Sequence, residues 1–395
     1  MPYFLSPKVI FGKGALEKLK PEMEGEGGKA VLITDNTMVK FSRRLVEIIK
    51  DAGYEVKVWD RAVQEPSMDV ALEASTFLLD CEPQWVIGFG GGSAIDTAKA
   101  AWVLYERPDI AGKPILPKLK LNLRQKARFL SVPTTSGTGA DVTWVAVLTD
   151  KEKQQKRIFA HNDIVPDISV LDPELTAGMS RQLTASTGID VIGHSVDGYT
   201  SRQQSDFSDG LCLQAMKMAF EWLPTACRHE SDLVAREKMQ NAATIAGLGF
   251  GNSNTGLSHA LAHSAGAVFH IPHGRSVGIA LPYSLEYIAS HPPLSNAPDP
   301  VKRLDTAAGF VGIHAGSPQE RIQKFILKIR DLEREIGEPL SLKEAGITEK
   351  QMKEEMETLV HIAGADPNMY TTPCECTEEN LRQLFQEMWA GGFAV

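Results

Sequence analysis

The chain carries the segment WVIGFGGGS at residues 85–93, which joins a short apolar run to a cluster of three glycines. Residues 85–89 have the length and composition of a buried strand, and residues 94–105 have the periodicity of a helix. Backbone N–H groups at a helix N-terminus bind phosphate oxygens, and glycine lets a ligand approach the chain closely. Ser93 replaces the third glycine of a full G-x-G-x-x-G fingerprint. The segment therefore predicts a strand–loop–helix unit that either cradles a phosphate or forms a tight turn without a ligand.

Strand-like and helix-like segments alternate on both sides of this unit. The other strand-like segments are residues 29–34, 54–59, 129–133, 142–149 and 168–172, and the helix-like ones between them are 38–52 and 68–81. Such alternation is typical of a parallel sheet with right-handed crossovers. Beyond about residue 182 strand signals fade, and helical periodicity covers residues 206–220, 232–247, 318–336 and 348–364. We therefore predict a protein of the α/β class, with a Rossmann-like parallel-sheet domain at residues 1–182 and an all-α domain at residues 183–395.

Two further polar features follow predicted strands. The loop PTTSGTG at residues 133–139 offers hydroxyls and flexible backbone, and Asp35 stands just after the strand at 29–34. Open α/β sheets bind ligands at the carboxyl ends of their strands, where an acidic residue accepts hydrogen bonds from a ribose. The loop either closes over a phosphate or ribose or is simply hydrophilic, and Asp35 either binds a ribose or caps the following helix.

Composition narrows the class of protein. The 395 residues include 41 Lys and Arg against 50 Asp and Glu, and a formal net charge of −9 argues against nucleic acid or anionic membranes as partners. No apolar run reaches the roughly 20 residues of a membrane span, and the first 20 residues do not resemble a secretory signal. Five scattered cysteines indicate free thiols in a reducing compartment. We expect a soluble, cytoplasmic enzyme.

Histidines and one aspartate form the most informative pattern. Four histidines fall at residues 259, 263, 270 and 273, and His259 and His263 share a helix face because they are four residues apart. Asp190 and His194 have the same spacing, and both pairs have small or apolar neighbours. Buried ionisable groups are costly unless they are paired or bound to a metal. Imidazole and carboxylate ligands suit Zn²⁺, Fe²⁺ or a similar ion, although spacing alone leaves open which histidines bind it and whether they are hydrogen-bonded core residues instead.

The motifs together resemble the iron-containing (group III) alcohol dehydrogenase family. In chain order they are GGGSAIDTAK at 90–99, PTTSGT at 133–138, Asp190-x3-His194 and His259-x3-His263-x9-His273-Gly274. The resemblance begins near KVIFG at 8–12, continues through LDPELT at 171–176 and runs almost end to end. It implies a nucleotide-binding α/β domain followed by a helical metal-binding domain.

The resemblance also assigns residues. It implies a metal, Fe²⁺ or alternatively Zn²⁺ or another first-row ion, bound by Asp190, His194, His259 and His273. It places His263 beside the metal and the nicotinamide, where we expect it to relay a proton. The implied NAD-binding positions are Asp35, Gly91, Gly92, Ser93, Thr134, Thr135, Thr138, Thr143 and Lys156, with a weaker match at Lys156 because residues 153–157 are rich in charge. An aspartate at the Asp35 position resembles NAD-preferring members.

The implied activity is a metal-dependent hydride transfer between NAD(H) and a small primary alcohol or aldehyde, through a metal-bound alkoxide. Family members are often dimers or larger, so a homo-oligomer is expected. Three alternatives stay open: a glycerol-dehydrogenase-like polyol dehydrogenase, a hydroxyacid-oxoacid transhydrogenase and, from a different class, a metal-dependent phosphohydrolase. The chain departs from the family at Asn254, Thr255, Arg275 and residues 366–377, which leaves the substrate open. Phe250 either lines the substrate pocket or packs in the core.

Overall fold

The chain divides into two compact units, with the boundary between Gly178 and Met179. The computed structural model describes residues 3–24, 27–111, 119–150 and 155–392. The strands of the first unit are β1 (Lys8–Phe11), β2 (Gly28–Ile33), β3 (Tyr54–Trp59), β4 (Trp85–Gly90), β5 (Arg128–Pro133), β6 (Val145–Asp150), β7 (Gln155–Ala160) and β8 (Ile168–Leu171). Its helices are α1 (Lys20–Met23), α2 (Arg43–Asp51), α3 (Met68–Cys81) and α4 (Gly92–Glu106).

Six of these strands form one parallel sheet in the order β1-β8-β5-β4-β2-β3. Apolar side chains cover both faces, because alternate residues of a strand point to opposite sides. Val31 and Ile33 of β2 belong to the core cluster that contains Ala71 of α3, whereas Ala30 and Leu32 belong to the opposite cluster. Burial on both sides explains why the central strand β4 reads as a continuous apolar run, and the predicted parallel α/β sheet is confirmed.

Two segments differ from the sequence prediction. Residues 38–52 do not form one helix; a short 3-10 turn at Val39–Phe41 precedes α2. The predicted strand at 142–149 corresponds to β6, which pairs antiparallel with β7 in a separate two-stranded sheet. No helix connects β5 to β6, and a parallel neighbour needs a crossover of a dozen or more residues. The chain instead forms a local hairpin.

The second unit is helical in its described residues. Its helices are α5 (Arg181–Thr200), α6 (Asp206–Arg228), α7 (Leu233–Phe250), α8 (Leu257–Phe269), α9 (His273–Ser290), α10 (Pro300–Phe310), α11 (Pro318–Ile336), α12 (Glu349–Gly364) and α13 (Glu378–Ala390). Every residue of α5 from Gly188 to Thr200 is buried, so this helix forms the centre of the unit. Among the described residues, no helix is both long enough and apolar enough to cross a bilayer.

Candidate functional site

The central helix α5 presents two ionisable side chains on one face. Asp190 and His194 lie one turn apart, and their side chains are only 2% and 6% exposed. A helix surrounded by protein on all sides is normally apolar, so polar groups within it need partners. The partners come from α8 and α9.

A sharp reversal between α8 and α9 places two histidines beside α5. His259 lies in the first turn of α8, and His273 is the first residue of α9. Between them His270 adopts the left-handed conformation with φ of 55°, which ends α8. A Cβ at Gly274 would lie 2.0 Å from the carbonyl oxygen of Ser186, so only glycine lets α9 begin this close to α5.

Four side chains converge on one point. Asp190 Oδ1 lies 3.5 Å from His273 Nε2, 3.7 Å from His259 Nε2 and 3.7 Å from His194 Nδ1. One ligand atom from each residue lies within 4.8 Å of the other three. These separations exceed hydrogen-bond length, but bonds of 2.0–2.2 Å to one tetrahedral ion would hold two ligand atoms about 3.4 Å apart. The spacing therefore fits a shared cation better than direct hydrogen bonds.

The same atoms lack partners in the protein. Asp190 Oδ1, His194 Nδ1 and His259 Nε2 are buried, and none has a hydrogen-bond partner within the described part of the chain. Leaving such atoms unpaired is expensive, and a bound cation removes that cost. Three imidazoles and one carboxylate are donors that first-row divalent metals accept, and the group is consistent with iron.

Electrostatics favours the metal-binding forms of Asp190 and His194. Burial raises the pKa of Asp190, but the imidazoles of His194, His273 and His259 outweigh burial and hold the pKa below its usual range. Burial lowers the pKa of His194 to about 4. At neutral pH the carboxylate is therefore charged and the His194 ring has a free lone pair.

Asp197, one turn beyond His194 on α5, orients His259. Its Oδ2 accepts hydrogen bonds from His259 Nδ1 at 2.8 Å, Ser258 Oγ at 2.6 Å, Gly256 N at 2.9 Å and His259 N at 3.2 Å. A proton on Nδ1 leaves the lone pair on Nε2, the atom that points at the four-residue group. Burial lowers the pKa of His259, but the neighbouring carboxylates of Asp190 and Asp197 outweigh burial and raise it to about 9, so a metal that binds Nε2 displaces a proton from it.

His263 lies beside this group without belonging to it. Its ring centroid is 5.3 Å from that of His273 and 6.1 Å from that of His259. Its Nδ1 lies 2.8 Å from Asp366 Oδ2, on the segment after α12. The side chain of His263 is 27% exposed, whereas that of His259 is 2% exposed.

In the first unit, the two polar loops meet at the carboxyl ends of the neighbouring strands β4 and β5. Thr134 N donates to Gly90 O at 2.9 Å. A Cβ at Gly92 would lie 2.9 Å from both Thr138 Cγ2 and Thr138 Oγ1, so glycine is needed for this approach. A Cβ at Gly91 would lie 3.3 Å from Thr135 Cγ2. Since Gly92 and Ser93 begin α4, the loops surround a helix N-terminus, as a phosphate site requires.

Asp35 lies at the carboxyl end of β2, the strand on the other side of β4. Its Oδ1 accepts hydrogen bonds from Thr37 N at 2.8 Å and Met38 N at 3.0 Å, which form a local turn, while the following 3-10 turn and α2 have Met38 and Ser42 as their N-caps. Its Oδ2 lies 3.8 Å from the position of a Cβ on Gly90. One oxygen is therefore used locally, and the other is beside the glycine loop.

A buried lysine holds the chain that follows the threonine loop. Lys99 Nζ, on α4, donates to Thr143 O at 2.5 Å and to Val145 O at 3.0 Å. The lysine is fully buried, and desolvation lowers its pKa to about 8. Lys156 lies in β7, but its side chain falls outside the described residues.

Comparison with known families decides the identity. Residues 6–173 match the iron-containing alcohol dehydrogenase model, and residues 184–389 match the C-terminal model of the Fe-containing alcohol dehydrogenase family. The chain belongs to the iron-containing alcohol dehydrogenase family. This alcohol dehydrogenase is an oxidoreductase acting on alcohols or aldehydes, which confirms the predicted family and reaction class.

Individual relatives are similar over nearly the whole chain. The sequence is 33% identical over 395 residues to an NADPH-dependent butanol dehydrogenase of Clostridium saccharobutylicum, covering 99% of this chain and 98% of the relative. A structure of 1,3-propanediol oxidoreductase superposes with a TM-score of 0.89 at 26% identity and covers 98% and 100% of the two chains. A structure of sulfoacetaldehyde reductase from Bifidobacterium kashiwanohense in complex with NAD⁺ superposes with a TM-score of 0.82 at 28% identity and covers 98% of each chain. The chain spans about half the length of the aldehyde-alcohol dehydrogenases that it also matches.

Three residues that we expect to depart from the family pattern make internal contacts in this alcohol dehydrogenase. Asn254 Nδ2 donates to Gln203 Oε1 at 2.6 Å, and Thr255 Oγ1 donates to Asn368 Oδ1 at 2.8 Å. Arg275 Nε donates to a carboxylate oxygen of Glu338 at 2.7 Å. These groups tie loops together. Phe250 stacks on His194 with ring centroids 4.1 Å apart and an angle of 10° between the rings.

Two ionisable residues of the site were not predicted. The sequence could have indicated Asp197, because it follows His194 by three residues and so lies on a neighbouring turn of the same buried helix. No sequence spacing indicates Asp366, because it lies 103 residues from His263 and only the tertiary fold brings the two together.

Proposed function

We propose that this alcohol dehydrogenase transfers hydride between NAD(H) and a small primary alcohol or aldehyde, with Fe²⁺ bound by Asp190, His194, His259 and His273. The observation that carries the proposal is the convergence of these four side chains with three buried, unpaired ligand atoms. We assign nucleotide binding to residues 1–182 and metal binding to residues 183–395.

The protein groups have separable tasks. A bound divalent metal supplies Lewis-acid activation of the alcohol or carbonyl oxygen. Asp190 contributes negative charge to the metal site, and Asp197 keeps His259 Nε2 free to bind. Phe250 covers one face of the His194 ring and keeps water from it. His263 accepts the proton of the alcohol and passes it to solvent, since its side chain is partly exposed.

The dinucleotide is proposed to bind on the glycine and threonine loops. Backbone groups at the start of α4 would hold the pyrophosphate, and the hydroxyls of Thr134, Thr135 and Thr138 would hydrogen-bond to it or to a ribose. Thr143 and Lys156 are proposed to contact the nicotinamide half. The related sulfoacetaldehyde reductase binds NAD⁺, which supports this class of cofactor.

The choice of NAD over NADP rests on Asp35. A butanol dehydrogenase relative is NADPH-dependent, so family membership alone does not decide the cofactor. Asp35 Oδ2 lies beside Gly90, where a carboxylate accepts hydrogen bonds from a ribose 2′-OH and repels a 2′-phosphate. The local chemistry therefore favours NAD.

The test is an anaerobic assay of Fe²⁺-reconstituted protein against small alcohols and aldehydes, following NADH. His259→Ala should lose bound metal and activity while keeping its circular dichroism spectrum, and His314→Ala, at an exposed histidine, should keep both. Full metal content in His259→Ala would count against the ligand assignment.

The same assay separates the alternatives. A preference for polyols favours the glycerol-dehydrogenase-like enzyme, and turnover without added NAD favours the transhydrogenase. Phosphate release with no change in NADH absorbance favours the phosphohydrolase. We further propose that the protein is a cytoplasmic homo-oligomer without a nucleic-acid partner. Light scattering of the purified protein tests the oligomeric state, and cell fractionation tests the compartment.

A further inference from the structure

Asp366 lies on the segment after α12 and uses both of its oxygens. Oδ2 lies 2.8 Å from His263 Nδ1, and Oδ1 accepts a hydrogen bond from Asn368 N at 2.8 Å. The side chain is 9% exposed. Burial raises the pKa of Asp366, but its hydrogen bond with His263 outweighs burial and the net pKa is lowered. An ionised carboxylate only accepts, so the proton between the two residues belongs to His263 Nδ1.

The position of that proton decides what the other ring nitrogen does. A neutral imidazole with a proton on Nδ1 has its lone pair on Nε2. The His263 ring stacks beside His273 at an angle of 25° and lies next to the proposed metal ligands. Its Nε2 is thereby prepared to accept a proton, rather than to donate one.

The segment that carries Asp366 is itself tied to the start of α8. Thr255 Oγ1 donates to Asn368 Oδ1 at 2.8 Å, and Thr371 Oγ1 donates to Thr255 O at 2.5 Å. Both threonines are buried, at 8% and 3% exposure. Thr255 lies two residues before α8, the helix that carries His263. These bonds fix the distance between Asp366 and the ring that it contacts.

We propose that Asp366 is a positioning residue for proton transfer: it holds His263 in the Nδ1–H tautomer, and the bonds of Thr255 and Thr371 hold Asp366 in place. The inference rests on the proposed function, in which His263 accepts the proton of the alcohol. It adds a residue from the C-terminal part of the chain to the site and gives Thr255 a defined task.

Asp366→Asn is the informative variant because it replaces only the oxygen that faces His263. The amide oxygen still accepts from Asn368 N, whereas the amide NH₂ faces His263 Nδ1 and can only donate to it. His263 must then carry its proton on Nε2 or lose the hydrogen bond. We expect kcat/KM for alcohol oxidation to fall by about 10- to 100-fold, as for other residues that orient a histidine, with metal content and NADH affinity unchanged. Asp366→Glu should recover part of the loss.

A double-mutant cycle separates positioning from a structural role. If Asp366 acts through His263, Asp366→Asn should change kcat/KM by less than about twofold in a His263→Gln background. An equal loss in both backgrounds overturns the proposal. Asp299→Asn is the matched control, because Asp299 caps α10 through Val301 N at 2.9 Å and should leave kcat/KM unchanged.

A spectroscopic measurement tests the tautomer without relying on turnover. The full chain, labelled with ¹⁵N-histidine and loaded with diamagnetic Zn²⁺, should show His263 protonated at Nδ1, with its signal assigned by its loss in His263→Gln. In Asp366→Asn the signal should shift toward the Nε2–H form. A wild-type His263 protonated at Nε2 would refute the proposal. If the wild-type protein oxidises no alcohol, the proposed function fails, and the tautomer signal still decides whether Asp366 positions His263.

Discussion

Asp197→Asn would show how far metal affinity depends on a carboxylate that is not one of the four proposed ligands. Asp197 Oδ2 accepts four hydrogen bonds, including the one from His259 Nδ1 at 2.8 Å. Asparagine keeps the shape of the side chain but removes its charge. His259 would remain in place, while the hydrogen bond that orients its Nε2 toward the other proposed ligands would weaken.

The magnitude follows from the kind of hydrogen bond that is lost. A hydrogen bond to a charged group contributes about 1.5–3 kcal/mol and a neutral one about 0.5–1.5 kcal/mol. Replacing one by the other at His259 costs about 1.5 kcal/mol, which corresponds to roughly a tenfold weaker metal Kd. The other three hydrogen bonds of Asp197 weaken as well, so the loss should lie between about 10- and 100-fold.

The assay is a competition titration of metal-free protein with Zn²⁺ in the presence of a chromophoric chelator at pH 7. Asp172→Asn is the matched control, since Asp172 is a fully buried carboxylate of the other unit that accepts backbone N–H bonds from Glu174 and Leu16. It should lower the free energy of unfolding without changing the metal Kd. A Kd for Asp197→Asn within twofold of the wild type, or an equal loss in Asp172→Asn, would refute the reasoning.

Three further predictions concern the first unit. Gly92→Ala places a Cβ 2.9 Å from Thr138, so NADH should bind at least about tenfold more weakly by fluorescence titration, and an unchanged Kd would contradict the role of the loop. Asp35→Gly should lower the ratio of kcat/KM for NAD to that for NADP, and an unchanged ratio would remove Asp35 from cofactor choice. Lys99 has a folded-state pKa lowered from 10.5 to about 8, so the unfolded chain binds more protons between these pH values and stability should rise with pH there. Urea titrations should therefore show wild type gaining about 2 kcal/mol relative to Lys99→Met between pH 7 and 10, and no gain would contradict charging of the buried amine.

The architecture of the first unit could be predicted because local signals agreed with the tertiary structure. Strand β3 and helix α3 have the bounds that the sequence pattern predicts, at Tyr54–Trp59 and Met68–Cys81. The central strand β4 is buried along its whole length and reads as an apolar run, whereas the edge strand β3 is recognised by its alternation of apolar and charged residues. The β6–β7 hairpin was not predicted, because strand pairing depends on the connection between strands rather than on the composition of either strand.

The candidate metal group could be predicted only in part from spacing. The four-residue intervals at Asp190–His194 and His259–His263 indicate two helix faces with buried polar groups. Spacing gives no reason to prefer His273 over His263 as the fourth member, and the family resemblance supplied that choice. The structure adds a physical one: His273 Nε2 is 3.5 Å from Asp190 Oδ1, whereas His263 is paired with Asp366.

The two histidines of α8 each form a histidine–aspartate pair, and the two pairs differ in how far they are buried. His259 and His263 each face a carboxylate through Nδ1 at 2.8 Å, from Asp197 and Asp366 respectively. The side chain of His259 is 2% exposed and its Nε2 belongs to the candidate metal group, so this atom is open to a metal but not to bulk water. The side chain of His263 is 27% exposed, so a proton accepted at its Nε2 can reach solvent. Because both histidines face an aspartate through Nδ1, membership of the candidate metal group and exposure to solvent are what distinguish the proposed ligand from the proposed proton acceptor.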